Sequence, residues 1–481
     1  MINATNSLSV LLMFVLFGCI EDELDRYPLT KKTEGTYYRD ESQLNQALND
    51  VYRQLGRHYD AQGLPDLFGE LYSDNTDILH IADADVAILE IDDHRIPANN
   101  VRIQNAWDEA YNGIYICNNI LHHLENTTVE IESSRLEAMK GQAVFVRSLI
   151  YFNLMRAFGA IPYIDRKIDP MESYEYLRTD PVVIYENLIR DLSYAKAVLP
   201  VWTGADIGRV SRYGAAAILA KLYLTVGDTQ KAKAELEFIM DSNEFSLDAN
   251  RDGKIDAQDL RHLFHPDTKN SGSSVLEAQY MGGENAMNSG HQKSYSPFFY
   301  SFYLPGDTRL DYRGNGHNTP SASLIDAFEQ GDPRKDIFLR TGYLDVASGE
   351  FIYFPFTMKF FDSNWDNPGQ NVEIIRYADI LLMYSELTND PQYLNQVRSR
   401  AGLPLFGTEG YPSEKYPTLS LAIEHERRIE LCFEFHRFFD LVRTNRALEV
   451  VPGLAGTDLL FPIPRYSIDV NPGLTQNPGY H

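Results

Sequence analysis

The sequence predicts a mainly α-helical protein in which stacked helical hairpins support a loop-rich, irregular subdomain. Three observations predict it. Apolar residues recur at three- and four-residue spacing through much of 41–240 and again through 372–447. Two of the helical stretches are joined by a Gly-Asp break with alanines at their contact. Between the two helical parts, from about 241 to 371, the periodicity fades and Gly, Pro, Asn and aromatic residues dominate.

The first element is a processing signal. Leu8 to Phe17 is almost wholly apolar. It is too short for a mature membrane span, which needs about 20 residues, and suits the core of a signal peptide. Leu16-Phe17-Gly18-Cys19 follows. A small residue before a Cys, just after an apolar core, resembles the bacterial lipobox. This predicts removal of 1–18 and acylation of the Cys19 thiol, where two or more chains give stable anchoring. The alternative is an ordinary signal peptide with an incidental Cys. The acidic run Ile20-Glu21-Asp22-Glu23 resembles the surface-export signal of Bacteroidetes lipoproteins.

Helices follow from about Glu41. Leu44, Ala47, Leu48, Val51 and Leu55 mark one apolar face, and Trp107, Ala110, Tyr111, Ile114, Asn118 and Leu121 a second. Leu136 to Phe158 and Val182 to Leu199 give two more, with Pro181 suited to a first turn. Arg212 to Val226 and Thr229 to Met240 flank the Gly227-Asp228 break. Ala216, Ala220 and Ala232 let these two helices approach closely, which is the tetratricopeptide-like pattern. The irregular part holds strand-like pieces at Ser274 to Gln279 and Phe351 to Phe356. Helix is expected again over Val372 to Thr388, Gln392 to Arg400 and Leu419 to Asn445.

Inside the irregular part, 248–259 reads DANRDGKIDAQD. This is the spacing of an EF-hand-type Ca²⁺ loop. Asp248, Asn250 and Asp252 take ligand positions, Gly253 makes the sharp turn, and Lys254 offers its carbonyl. Asp256 acts directly or through water, and Asp259 replaces the usual Glu. Ile255 is expected to tuck into the core. Hard oxygen ligands select Ca²⁺ over softer-ligand metals. The bland alternative is an Asp/Asn-rich turn that binds nothing. One copy of the loop is found, so a structural ion is expected rather than a signalling pair.

Composition excludes some classes. The net charge of -25 would repel a phosphate backbone, so no nucleic-acid partner is expected. Cys117 and Cys432 fall in apolar helical patterns and read as buried thiols. Zinc-hydrolase, serine-hydrolase and phosphate-loop motifs are missing from the sequence.

Five segments in order carry a family resemblance. They are 141-GQAVFVRSLIYFNLMRAFGAIPYI-164, 375-IRYADILLMYSE-386, 395-NQVRSRAGLP-404, 424-EHERRIELCFEFHRFFDLVR-443 and 461-FPIPRYSIDVNPGLTQNPGY-480. Together they resemble the SusD/RagB family over nearly the whole chain. The resemblance implies four tetratricopeptide-like units, and a single domain over 19–481. It implies a lipid-anchored, surface-exposed protein of the outer membrane that binds glycans without hydrolysis. It also implies a partner, a SusC-like TonB-dependent transporter, over which the protein sits as a lid.

Sugar sites combine flat aromatic faces with carboxylate, amide and Arg groups. The polar stretch Leu79 to Asn100 and the aromatic run Tyr295 to Tyr303 are the candidate loops. Trp202 and Trp365 sit in polar surroundings and are each a cap on the core or a sugar platform. The candidate glycan contacts are Trp365, Trp202, Tyr300, Asp83 and Arg95. Trp107 reads as core. Glu426 and Glu430 could suggest a glycosidase pair. The arginines around them favour a structural ion-pair network on one helix face, since a general acid needs a raised pKa. A secreted glycan-degrading enzyme and a protein-recruiting scaffold remain the alternatives.

Overall fold

The computed structural model describes residues 38–78, 85–169, 171–298 and 314–480, with the backbone alone of 302–304 and 308–310. The signal segment and Cys19 lie outside the described residues.

The first helical part holds α1 (Glu41–His58), the short α2 (Val86–Asp92), α3 (Val101–Glu125), α4 (Ser133–Phe158), α5 (Pro181–Val198), α6 (Arg212–Val226) and α7 (Thr229–Met240). Side-chain caps start most of them. Asp40, Asn100, Asp180, Ser211 and Asp228 each accept a backbone N–H from the first turn. Consecutive long helices pack on one another: α1 on α3, then α3, α4, α5, α6 and α7 in sequence. Helix α4 is buried on nearly every side, as a helix apolar all round must be. At the α6–α7 turn Gly227 takes a left-handed φ of 79°, and Ala216, Ala220 and Ala232 are fully buried at the contact.

The middle of the chain adds α8 (Gln258–Leu263), α9 (His291–Tyr295), α10 (Ala322–Ala327) and α11 (Arg334–Phe338). Its strands all pair antiparallel. β1 (Thr76–Asp77) pairs with β7 (Thr319–Pro320), and β2 (Ile161–Pro162) with β3 (Arg178–Thr179). β4 (Ser274–Ala278) pairs with β10 (Val372–Arg376). A four-stranded sheet runs in the order β6 (Thr308–Leu310), β5 (Phe302–Leu304), β8 (Leu339–Asp345), β9 (Phe351–Thr357). The C-terminal part holds α12 (Tyr377–Thr388), α13 (Pro391–Arg400), α14 (Leu419–Glu430), α15 (Arg437–Arg443), α16 (Ala447–Val450) and α17 (Arg465–Val470).

Three expectations are corrected. Val372 to Arg376 is a strand, not the first turn of a helix, because β4 offers it a paired edge and its β-branched residues fit there. The segment 79–100 holds α2, capped by Asp85, rather than loop throughout. The stretch 419–445 is two helices, not one. Between them Phe433 and Phe435 have φ of 63° and 64°, and both N–H groups turn to the buried Glu70 carboxylate at 2.8 and 3.2 Å. Gly69 permits this approach: a Cβ there would lie 2.1 Å from the Phe435 carbonyl oxygen. Burial pushes Glu70 up to about 7, against the pull of those N–H donors.

The ion-pair network exists, but it runs between elements instead of along one helix. Glu430 of α14 is fully buried and faces three guanidiniums, Arg334 (3.0 Å), Arg376 and Arg400, from α11, β10 and α13. Burial alone would raise its pKa, but Arg400, Arg376 and Arg334 together hold it well below the usual carboxylate range. Glu426 takes Arg334 at 2.5 Å and Arg398 at 3.0 Å. Arg428 and Arg437 both reach back to Asp74, at 3.0 and 2.7 Å, tying the C-terminal helices to the first part of the chain.

Glu430→Ala would leave three buried guanidiniums facing no carboxylate at that point. It is expected to cost about 3–5 kcal/mol in urea unfolding. A loss under about 1 kcal/mol, typical of an exposed pair, would mean that the network contributes little.

Candidate functional site

A polar cleft opens where the end of α1 and the turn after it face the first half of α3. Arg57, Asp60 and Gln62 line one wall, and Arg102, Asn105 and Glu109 the other. The turn is fixed locally. Gly63 N–H bonds to the Asp60 carbonyl at 2.8 Å, and Gln62 N–H to Asp66 at 2.6 Å. Asp66 also receives the Tyr295 hydroxyl at 2.5 Å, so Tyr295 is core and braces the turn from behind. On the other wall Asn100 caps α3 and aims residues 102, 105 and 109 outward at helical spacing.

Asp60 accepts N–H groups from Ala61 at 2.9 Å and Gly290 at 2.7 Å. Burial pushes its carboxyl up to about 6, with the nearby Glu109 adding to the shift and the two N–H donors opposing it. His317 meets the Gln62 amide at 3.3 Å and is lowered to about 4 by burial, so it is neutral at pH 7. Arg102 donates its Nε to Asp85 at 2.8 Å. The candidate stretch 79–100 therefore reaches this cleft through Asp85. The wall offers guanidinium, carboxylate and amide groups, a set that suits sugar hydroxyls, and among the described residues it holds no Trp, Tyr or Phe.

Of the residues singled out from sequence, the described ones, Arg95, Trp202 and Trp365, lie in separate surroundings. Asp83 and Tyr300 lie outside the described residues. Arg95 is exposed and pairs with Asp93 at 2.5 Å. Trp202 packs on the main core and donates its indole N–H to the Val210 carbonyl at 2.7 Å. It also lines a second cleft with Ile207, Arg209, Tyr213, Asn270 and Glu277. Trp365 packs edge-on to Phe361 at 5.8 Å, against a satellite core of Tyr343, Phe354 and Phe356. Trp107, Cys117 and Cys432 are buried.

Sequence reasoning missed two groups. One is the cleft wall itself. Its signal, polar residues at helical spacing on α3, is shared by any solvated helix face. The other is an exposed pair of rings, Phe351 at 56% and Tyr353 at 65%, on one face of β9. Alternation in Phe351-Ile352-Tyr353-Phe354 was the available signal.

The loop 248–259 is wound as its sequence suggests. Asp248 accepts N–H groups from Asp252 and Gly253 at 3.1 and 2.9 Å, and Asn250 from Asp252 at 2.9 Å. Asp252 accepts from Lys254, and Asp256 from Gln258, at 2.8 and 2.7 Å. Asp259 is buried and closes the loop onto Ala249 and Asp256 N–H groups at 2.8 and 2.9 Å. Its oxygens are thus engaged with backbone. Among the described residues no three Asp, Glu, His or Cys side chains are gathered closely enough to hold a metal ion. The loop's side-chain oxygens are spent on its own backbone N–H groups. Ile255 does not tuck into the core. It is 52% exposed.

Comparison with known proteins is consistent across the chain. A family profile described as "Starch-binding associating with outer membrane" matches residues 24–224, and one described as "SusD family" matches 237–456. SusD-like protein P2 of Formosa agariphila is 27% identical over 98% of each chain. A solved structure of a laminarin-binding SusD-like protein is 25% identical, with a TM-score of 0.77, and covers 92% of this chain and 100% of its own. Surface glycan-binding protein A from Bacteroides thetaiotaomicron, in complex with laminarihexaose, shares the fold at 21% identity. Its TM-score is 0.75 over 91% of this chain and 99% of its own.

A raised carboxyl contributes stability that is complete below its unfolded pKa and lost as pH rises through the folded one. Asp60→Asn keeps an acceptor for both N–H groups but carries no charge. It is expected to gain stability relative to the parent as pH rises from 3.8 to about 6, then level off. Urea unfolding across that range checks this. A constant difference would place the Asp60 carboxyl at its ordinary value.

Proposed function

The chain belongs to the SusD family, and from that premise we propose that it is a non-catalytic glycan-binding lipoprotein of the cell surface. On this reading it is anchored in the outer membrane through acylated Cys19 and passes an oligo- or polysaccharide to a TonB-dependent transporter. The observation that carries the binding reading is the likeness, along most of the chain, to a laminarin-binding SusD-like protein. The saccharide is assigned to the cleft between α1 and α3. Two arginines there face two carboxylates, and the chain's net charge is -25, which suits a neutral glycan better than a polyanion.

The carboxylate pair that sequence offered for hydrolysis does not favour catalysis. Glu426 and Glu430 are fully buried, and the arginines keep Glu430 ionised. A general acid needs the opposite shift. One observation keeps an enzyme reading in view: Asp60, raised to about 6, shares a cleft with Glu109.

Calorimetric titration of the lipid-free chain against a panel that includes laminarin and laminarihexaose, with each mixture assayed for new reducing ends, tests the assignment. Saturable heat without new ends is expected. Arg102→Ala and Asn105→Ala are each expected to weaken binding by roughly tenfold, the loss of one charge-assisted or buried hydrogen bond. New reducing ends that vanish in Asp60→Asn would establish the enzyme instead.

We further propose that the loop 248–259 takes one Ca²⁺ with a structural role. Asp248, Asn250, Asp252, the Lys254 carbonyl, Asp256 and Asp259 would hold it. The ion would supply the positive charge that gathers these oxygens. At about 100 times its dissociation constant, Ca²⁺ is expected to stabilise the fold by about 2.7 kcal/mol, and Asp252→Ala to lose that gain. A melting temperature unmoved by Ca²⁺ or by a chelator would leave the loop as a plain turn.

A further inference from the structure

Two carboxyl groups stand directly opposite each other in the β4–β10 pair. Glu277 and Glu373 are register partners, and each is only 5% exposed. Side chains of an antiparallel pair share a face, with Cβ atoms about 5 Å apart. Two buried like charges at that distance are strongly unfavourable.

The surrounding donors are divided unequally. Glu277 receives the Asn270 N–H at 2.8 Å on one oxygen. On the other it receives the Asn371 amide at 2.5 Å and the Gln279 amide at 3.4 Å. Glu373 receives the Ser274 hydroxyl at 2.7 Å on Oε1, while its Oε2 is buried and meets no donor. The cation whose field reaches Glu277, Lys269, spends its ammonium on the Tyr280 carbonyl at 2.7 Å. Glu434 faces Glu373 from the segment after α14 and adds negative field, although Lys359 and Arg376 pair with it. The charged groups that act most strongly on Glu373 are Glu277 and Glu434, both negative.

We propose that Glu277 and Glu373 share one proton, carried on Glu373 Oε2 and donated to Glu277, so that the β4–β10 pair is a pH-sensitive latch. A proton there satisfies the one oxygen that lacks a donor and removes the charge clash in the same step. Burial, and then the Glu277 charge, push the Glu373 carboxyl well above the usual range, which supports the assignment. The latch sits at a cleft wall. Glu277, Ser274 and Asn270 are wall residues of the Trp202 cleft, and β10 runs directly into Arg376 of the Glu430 network. Loss of the proton would set two like charges against each other at that wall. The inference does not depend on the glycan assignment.

Glu373→Gln tests it on the lipid-free chain, since the amide donates to Glu277 permanently without titrating. In the parent, the native state holds a proton that the unfolded chain has released. Its unfolding constant relative to that of E373Q is therefore expected to rise about tenfold per pH unit from about pH 5. The rise should end in a plateau at the folded pKa. The parent-minus-E373Q infrared difference spectrum at neutral pH should show a protonated-carboxyl carbonyl band that the other raised carboxyls, present in both proteins, do not cancel. A flat ratio from pH 5 upward, or no such band, would overturn the proposal. If E373Q does not fold, Glu373→Met removes the same proton at similar volume and gives the same two comparisons.

Discussion

A single buried carboxylate sets much of the architecture. Glu430 sits where α11, β10, α13 and α14 converge, and each of the other three elements sends an arginine to it. Such a cluster is weak evidence for net stability, because desolvating four charges costs about as much as their attraction returns. Its consequence is geometric. A guanidinium is a rigid fork, so three of them on one carboxylate admit few arrangements of the four elements. Glu426, one turn earlier, repeats the device with Arg334 and Arg398. The C-terminal helices and the irregular middle of the chain are thereby locked in one orientation.

A second carboxylate joins that frame to the other half of the chain. Glu70 accepts the two N–H groups that left-handed Phe433 and Phe435 turn away from their own helix. The break lets α15 swing so that Arg437 can reach Asp74, where Arg428 also ends. The turn that carries Asp60 and Gln62 comes just before the short helical segment Pro65–Leu71 that holds Glu70, and Asp66 within that segment accepts the Gln62 N–H. The candidate cleft is therefore built on the same frame and does not ride on a free loop.

What was legible in sequence was what neighbours in the chain decide. The α6–α7 hairpin could be read to the residue, since its cap, its glycine turn and its alanines are all local signals. The strand at 372–376 could not, because its state depends on an edge supplied by β4 about a hundred residues away. The break at 431–436 depends on Glu70, still further off, and its own residues look helical throughout. Ile255 shows the converse failure. The spacing of the loop suggested an inward side chain there, but Ile255 is half exposed. For the site, Trp107 was legible as core from its spacing. The wall formed by Arg102, Asn105 and Glu109 was not, since only the turn after α1 makes that ordinary polar face concave.

The carboxylates of this chain divide by company, and the division bears on function. Those met by arginine, such as Glu430, are held ionised and inside, where no substrate reaches them. Those buried without a cation, such as Asp60 and Glu373, are pushed upward and lie at cleft walls or just behind them. Four arginines, Arg334, Arg376, Arg398 and Arg400, are among the most deeply buried side chains and are spent on the interior. The net charge of -25 repels polyanions, while the clefts offer acceptors, amides and a few guanidiniums to hydroxyl groups. Because the buried guanidiniums are met by buried carboxylates, the frame fixes the fold without setting the charge of the clefts, which keep arginines of their own in Arg57, Arg102 and Arg209.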